Sequence, residues 1–111
     1  MTIHVVLLDA TALVCADCAL DTTATADLHR VLDNLVAAGP ATVLLDLVEV
    51  PMVDDGAVAV LAAAATRLAY QGAELELRLP GGRALAVPDA RTLRQALRVA
   101  YPLTGQADPT N

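Results

Sequence analysis

Two acids in tandem, Asp54 and Asp55, two cysteines spaced C-A-D-C at Cys15 and Cys18, and two histidines, His4 and His29, are the residues whose types could do chemistry. Paired carboxylates serve general acid and base catalysis. Placed just before an apolar helical pattern, they serve equally as a helix cap and a first-turn acid favoured by the macrodipole. A redox dithiol of the thioredoxin type sits at a helix N-terminus after a strand. Here the pair falls near the end of an expected strand, where residues three apart point to opposite faces. One such pair supplies at most two zinc ligands, and His4 and His29 stand at no matching spacing. The expectation is two reduced thiols, no metal and no cofactor.

What is missing narrows the chemistry further. The chain contains no Ser, Lys, Phe or Trp, and its seven basic residues are all Arg. A serine nucleophile, a Schiff-base lysine and a P-loop lysine are therefore excluded. The formal net charge is −6 and only two residues are aromatic, so the charge and the stacking platforms that nucleic-acid binding uses are absent. Nothing in this set of residues builds a catalytic centre, and the chain reads as a non-enzyme.

The elements that must position these residues alternate between strand and helix patterns. Ile3 to Leu8 and Ala12 to Cys18 read as strands of a hairpin around Asp9-Ala10-Thr11. Leu28, Val31, Leu32, Leu35 and Val36 recur at helical spacing, with Thr23 or Thr25 as the expected cap and Gly39-Pro40 as the stop. Thr42 to Leu47 is a near-continuous apolar run, the pattern of a central strand buried on both faces. Asp54 or Asp55 caps a second helix whose stripe is Val58, Leu61, Ala62, Ala65, Leu68 and Ala69, ending at Gln71-Gly72. Glu74 to Leu79 alternates as a half-buried strand before Pro80-Gly81-Gly82. Arg83 to Val87 is either a short strand or an irregular loop. Asp89 then caps a third helix, with Leu93, Ala96, Leu97 and Ala100 inward and Arg91, Arg94 and Arg98 outward. Tyr70 and Tyr101 read as solvated or half-buried surface. The order β-β-α-β-α-β-α is that of a single α/β domain, a mixed sheet of four to five strands with helices mainly on one face.

At 111 residues the chain is one domain that buries roughly 65% of its unfolded surface, so disulfide or metal staples are unnecessary. Residues 1–55 hold nine acids and only Arg30, whereas residues 56–111 hold four acids and six arginines. In one small domain this means faces of opposite charge, which could orient a protein partner. The first eighteen residues have no basic leader region, and their longest apolar run stops at Asp9. Neither a signal peptide nor direct membrane insertion is expected, and a cytoplasmic location is. Residues 1–105 are expected to form the domain and 106–111 a flexible tail.

Val43 to Leu61, VLLDLVEVPMVDDGAVAVL, resembles without a gap the pattern VVLDLSGVxFIDSSGLGVL of STAS domains, the family of bacterial anti-sigma factor antagonists and sulphate-transporter tails. Residues 20–28, LDTTATADL, resemble the segment that opens the family's first helix. Gly72 to Leu79, and Leu103-Thr104-Gly105 after the third helix, resemble its later strand and its closing motif. The likeness runs from about residue 5 to 105. It implies the family fold and an exposed loop into the second helix. In members with a phosphorylation switch, that loop carries a Ser modified by a partner that is both protein kinase and anti-sigma factor. A phosphate placed there is held by free helix N–H groups, and its charge ejects the partner.

Carried over residue by residue, Asp54 matches the motif Asp, Asp55 replaces the first Ser, Gly56 stands at the phosphoacceptor position and Ala57 replaces the Gly. The partner-binding surface expected from the resemblance is therefore Val53, Asp54, Asp55, Gly56 and Ala57 with the second helix. The expected function is that of an anti-sigma factor antagonist in partner switching, binding an anti-sigma factor of the serine kinase type without control at the usual Ser. The alternative is a small accessory subunit that docks on the ATPase of an ABC-type lipid transporter. The same stretch also resembles the phosphoacceptor strand of a response-regulator receiver, with Asp46 as acceptor. That reading lacks the late Lys and has only Asp9 for the required acidic pair. The sequence leaves oligomeric state open.

Overall fold

The computed structural model describes residues 3–102. The chain runs β1 (Ile3–Leu8), β2 (Thr11–Ala16), α1 (Thr25–Ala38), β3 (Thr42–Asp46), α2 (Asp55–Tyr70), β4 (Glu74–Arg78), β5 (Ala84–Ala86) and α3 (Ala90–Ala100). The strands form one five-stranded mixed sheet in the order β1-β2-β3-β4-β5. β2, β3 and β4 are parallel, and β1 and β5 close the two edges antiparallel. The expected fold class is the observed one, and Arg83 to Val87 contributes a strand. The closing motif at Leu103 and the tail lie outside the described residues.

Two parallel crossovers running in the same direction across the sheet, each right-handed as such connections are, put α1 and α2 on the same face. Burial alternates accordingly. Ala12, Val14, Ala16, Val43, Leu45, Leu75 and Leu77 are buried beneath the helices, while the intervening residues are half-buried or exposed. β3, expected to be covered on both faces, is therefore covered on one, with Leu44 only half-buried on the other. α2 packs between α1 and α3 with Ala57, Val58, Leu61, Ala62, Ala64, Ala65 and Leu68 buried. Ala64 takes the place expected for Ala69, which is exposed. The small side chains let the helix lie close to the sheet.

The punctuation is chemical. Asp9 takes a left-handed φ of 57° in the two-residue turn between β1 and β2, a conformation Asp tolerates better than most residues. α1 ends on Gly39, whose φ of 69° and N–H to Val36 O make the left-handed cap. Neither Thr23 nor Thr25 caps α1 as expected. The N-cap is Ala24, and Asp21 organises the turn instead, accepting from Thr23 N–H at 3.0 Å and Thr23 Oγ1 at 2.6 Å. Those bonds hold the Asp21 carboxyl below its ordinary range. β2 stops at Ala16 rather than Cys18, and the chain then bends.

Candidate functional site

The site is the stretch between the end of β3 and the first turn of α2. At the β3 end, Asp46 accepts the Val48 N–H at 3.0 Å, and Val50 N–H closes a turn on Leu47 O at 3.0 Å. Tyr101, just past α3, is buried under this turn and its hydroxyl donates toward Val50 O at 2.9 Å and Leu47 O at 3.1 Å. Burial pushes that phenol up to about 12. Farther on, Leu20 pairs with Val53 in an isolated parallel bridge, through Leu20 N–H to Met52 O at 2.8 Å and Asp54 N–H to Leu20 O at 3.0 Å. The entries to α1 and α2 are thereby tied together.

Asp54 is the cap, in extended conformation, and its Oδ1 accepts the Ala57 N–H at 2.9 Å. Asp55 and Gly56 are the first two helical residues, both exposed. A Cβ on Gly56 would meet only Asp54 Oδ1 at 3.4 Å and Thr25 Oγ1 at 3.9 Å, ordinary contact distances. Gly56 is thus an open position next to free helix N–H groups, and neither crowding nor backbone conformation demands a glycine there. Of the five residues singled out, Val53 and Ala57 are buried at 2% and 0% exposure and hold the loop from beneath. The accessible rim is Asp54, Asp55, Gly56 and the exposed Met52.

The other chemistry-bearing residues do not join it. Cys15 lies on the helix-free face of β2, in register with Asp46. Its thiol is pushed up first by burial and then by the Asp46 charge, with Arg78 opposing. Cys18 lies beyond the strand, partly buried against the core, and both cysteines are free. Asp46 is 3.9 Å from Arg78. Asp9 precedes Thr11, which registers with Thr42 at the opposite end of β3 from Asp46, so a receiver's acidic cluster cannot assemble. Among the described residues no group of three His, Cys, Asp or Glu is placed to hold a metal, and no helix is long and apolar enough to cross a membrane.

The STAS domain model matches residues 3–94, a span that includes the capped turn. This chain belongs to the STAS domain family. Its fold is similar to that of the anti-sigma factor antagonist SpoIIAA in its unphosphorylated form, with TM-score 0.65 and 14% identity over 96% of this chain and 93% of that one. An anti-sigma factor antagonist from Mycobacterium paratuberculosis is similar over 96% of this chain and 89% of its own, with TM-score 0.58 and 20% identity. A crystal structure of Mglu matches at TM-score 0.62 and 22% identity over 69% of this chain, which spans only 19% of that protein's length. No curated protein matches.

Two contributors to the site were not visible in the sequence as such. Thr25 reaches the Gly56 position from the start of α1, its hydroxyl donating to Asp21 O at 2.8 Å. Tyr101 is a buried staple rather than the surface residue expected of it. The only prior signal was that Tyr101 follows the inward stripe of α3 by one helical turn from Leu97, with its N–H on Leu97 O.

Proposed function

We propose that this STAS domain is a protein-binding module of the anti-sigma factor antagonist type, acting in the cytoplasm and not as an enzyme. Its partner is an anti-sigma factor of the serine kinase type, engaged through Met52, Asp54, Asp55, Gly56 and the adjoining face of α2. Control by phosphate at the usual place is absent. The observation that supports this reading is the exposed, Asp54-capped start of α2 with a glycine at its second position: an open helix N-terminus is present, and the hydroxyl is not. Asp55 supplies one fixed charge nearby, against nearly two charges and three oxygens for a phosphate, so it imitates the modified form poorly. The unmodified, binding-competent state is the resting one.

The test incubates the protein with a kinase-type anti-sigma factor from the same cell, with and without ATP, and follows intact mass and complex formation. The expected result is a complex indifferent to ATP. Gly56→Ser, which the open space around Gly56 admits, should gain both a phosphate and ATP-dependent release. A phosphate on a native Thr that dissociates the wild-type complex would refute the constitutive reading. Binding to a transporter ATPase with none to the anti-sigma factor would replace it by the accessory-subunit one.

A further inference from the structure

The arginines fall into two groups. Arg30, Arg67 and Arg78 each stand beside an aspartate, Asp27 at 2.9 Å, Asp33 at 2.6 Å and Asp46 at 3.9 Å. The other four, Arg83, Arg91, Arg94 and Arg98, have no acid at ion-pair distance among the described residues, and the last three belong to α3. In a chain with thirteen acids against seven arginines, unpaired cations gathered on one helix run against the overall charge. The helix itself accounts for part of this. Arg98 is in the last turn of α3, where a cation is favoured, and the Asp89 carboxylate offsets Arg91 in the first. Arg94, exposed in the middle of the helix, has neither reason to be there.

The position of these arginines ties them to the candidate site. Ala90, at the start of α3, shares a groove with Thr66, Ala69 and Tyr70 from the end of α2. Tyr101, past the end of α3, bonds Leu47 O and Val50 O in the turn that leads into α2. α3 therefore runs antiparallel to α2, with its last turn beside the first turn of α2. Ala90, Arg94 and Arg98, four residues apart, make one row along the helix that turns gradually outward. Since Ala90 faces α2, the row continues alongside α2 toward Asp54, Asp55 and Gly56. Between Ala57 and Ala65 the only exposed residues of α2 are Ala59 and Ala63, so no long side chain screens the row.

We propose that Arg94 and Arg98 extend the partner surface of α2 and select a partner that sets two carboxylates roughly 6 Å apart, as Asp or Glu residues one helical turn apart do. The inference rests on the proposed binding role and adds the chemistry of the partner, an acidic strip on the anti-sigma factor where it meets α3. A guanidinium engages a carboxylate through two parallel N–H donors, so the row fixes orientation as well as charge. Charges on the rim of an interface act mainly on the rate of association and its salt dependence. The net charge of −6 repels an anionic membrane or a nucleic acid, which leaves an acidic protein surface, small enough to meet the row alone, as the occupant.

The test measures binding of a kinase-type anti-sigma factor from the same cell at about 0.1 M and about 1 M salt, between which the screening length falls from about 10 Å to about 3 Å. It compares the wild type with Arg94→Glu, the double variant Arg94→Glu/Arg98→Glu and Arg30→Glu, each shown to be folded by circular dichroism and thermal unfolding. The wild-type complex should weaken with salt. At low salt the double variant should bind roughly tenfold more weakly or worse, with most of the salt dependence gone. Arg30→Glu, which changes net charge as much as Arg94→Glu does, should bind as the wild type. A double variant that binds like the wild type would overturn the arginine row alone, whereas a wild type without affinity would overturn the proposed function and the row with it. A loss that Arg30→Glu shares with Arg94→Glu, or one equal at both salts, would also overturn it. So would binding to phosphatidylglycerol vesicles that the double variant loses while keeping the protein complex.

Discussion

Replacing Tyr101 by Phe removes one hydroxyl and leaves the ring in place, so the loss reports on the staple alone. In the native fold that hydroxyl faces Val50 O at 2.9 Å and Leu47 O at 3.1 Å, both on residues with 1% exposure or less. Leu47 O keeps the Val50 N–H as a partner, whereas Val50 O loses its donor. One buried carbonyl left without a donor costs about 1–3 kcal/mol. At roughly 4–8 °C per kcal/mol for a domain near this size, Tm should fall by roughly 4–24 °C. Thermal unfolding followed by circular dichroism at pH 7 measures it.

A second arm uses alkali. The phenol is pushed from 10.0 to about 12 in the folded state, so its contribution is complete below pH 10 and is lost as pH rises toward 12. Wild type and Tyr101→Phe should therefore converge in stability across that window. A variant as stable as wild type at pH 7, or a gap that persists undiminished to pH 12, would refute the staple.

Asp54→Ala should cost about 1 kcal/mol through loss of the cap on Ala57 N–H, and Asp54→Asn much less, read as denaturant midpoints at constant slope; equal effects would mean the cap is not the cause. Arg67 bonds Asp33 across α1 and α2 at 2.6 Å and, with His29, holds that carboxyl below its ordinary 3.8. Arg67→Ala should let Asp33 titrate nearer that value by NMR, and an unchanged titration would contradict the assignment. Since a depressed carboxyl stabilises above its unfolded pKa and ceases to as pH falls through its folded one, the pair matters least in acid. The raised Cys15 thiol should react with an alkylating reagent at pH 8 more slowly than a free cysteine peptide, and faster reaction would restore a redox reading.

Where burial followed from periodicity, the reading of the chain and the structure agree. The stripe of α3 buries Leu93 and Leu97 and leaves Arg91, Arg94 and Arg98 in solvent, and Asp89 and Asp54 cap the helices they precede. Where a residue's state depends on what arrives from elsewhere, they part. Thr23 and Thr25 have the right chemistry for a cap, but Asp21 captures Thr23, Thr25 becomes the first helical residue and the N-cap falls on Ala24. Tyr101 continues the inward stripe one turn past Leu97, but its role as a staple was not legible, because the carbonyls it meets belong to a turn some fifty residues earlier.

By itself the sequence determined the alternation of strands and helices, the two aspartate caps, the glycine stop of α1 and the absence of a hydroxyl at Gly56. These are properties of residue type and spacing, which act over one or two turns of chain. Only the tertiary structure decided that Val53 and Ala57 lie beneath the loop while Met52 and Asp55 face outward, that Thr25 stands over Gly56, and that β1 is left with an open edge. Each of these depends on which strands are neighbours and on which face the crossovers cover. An apolar strand such as Ile3–Leu8 reads the same whether it is the centre of a sheet or its rim, because what exposes it is that no sixth strand lies beside it among the described residues.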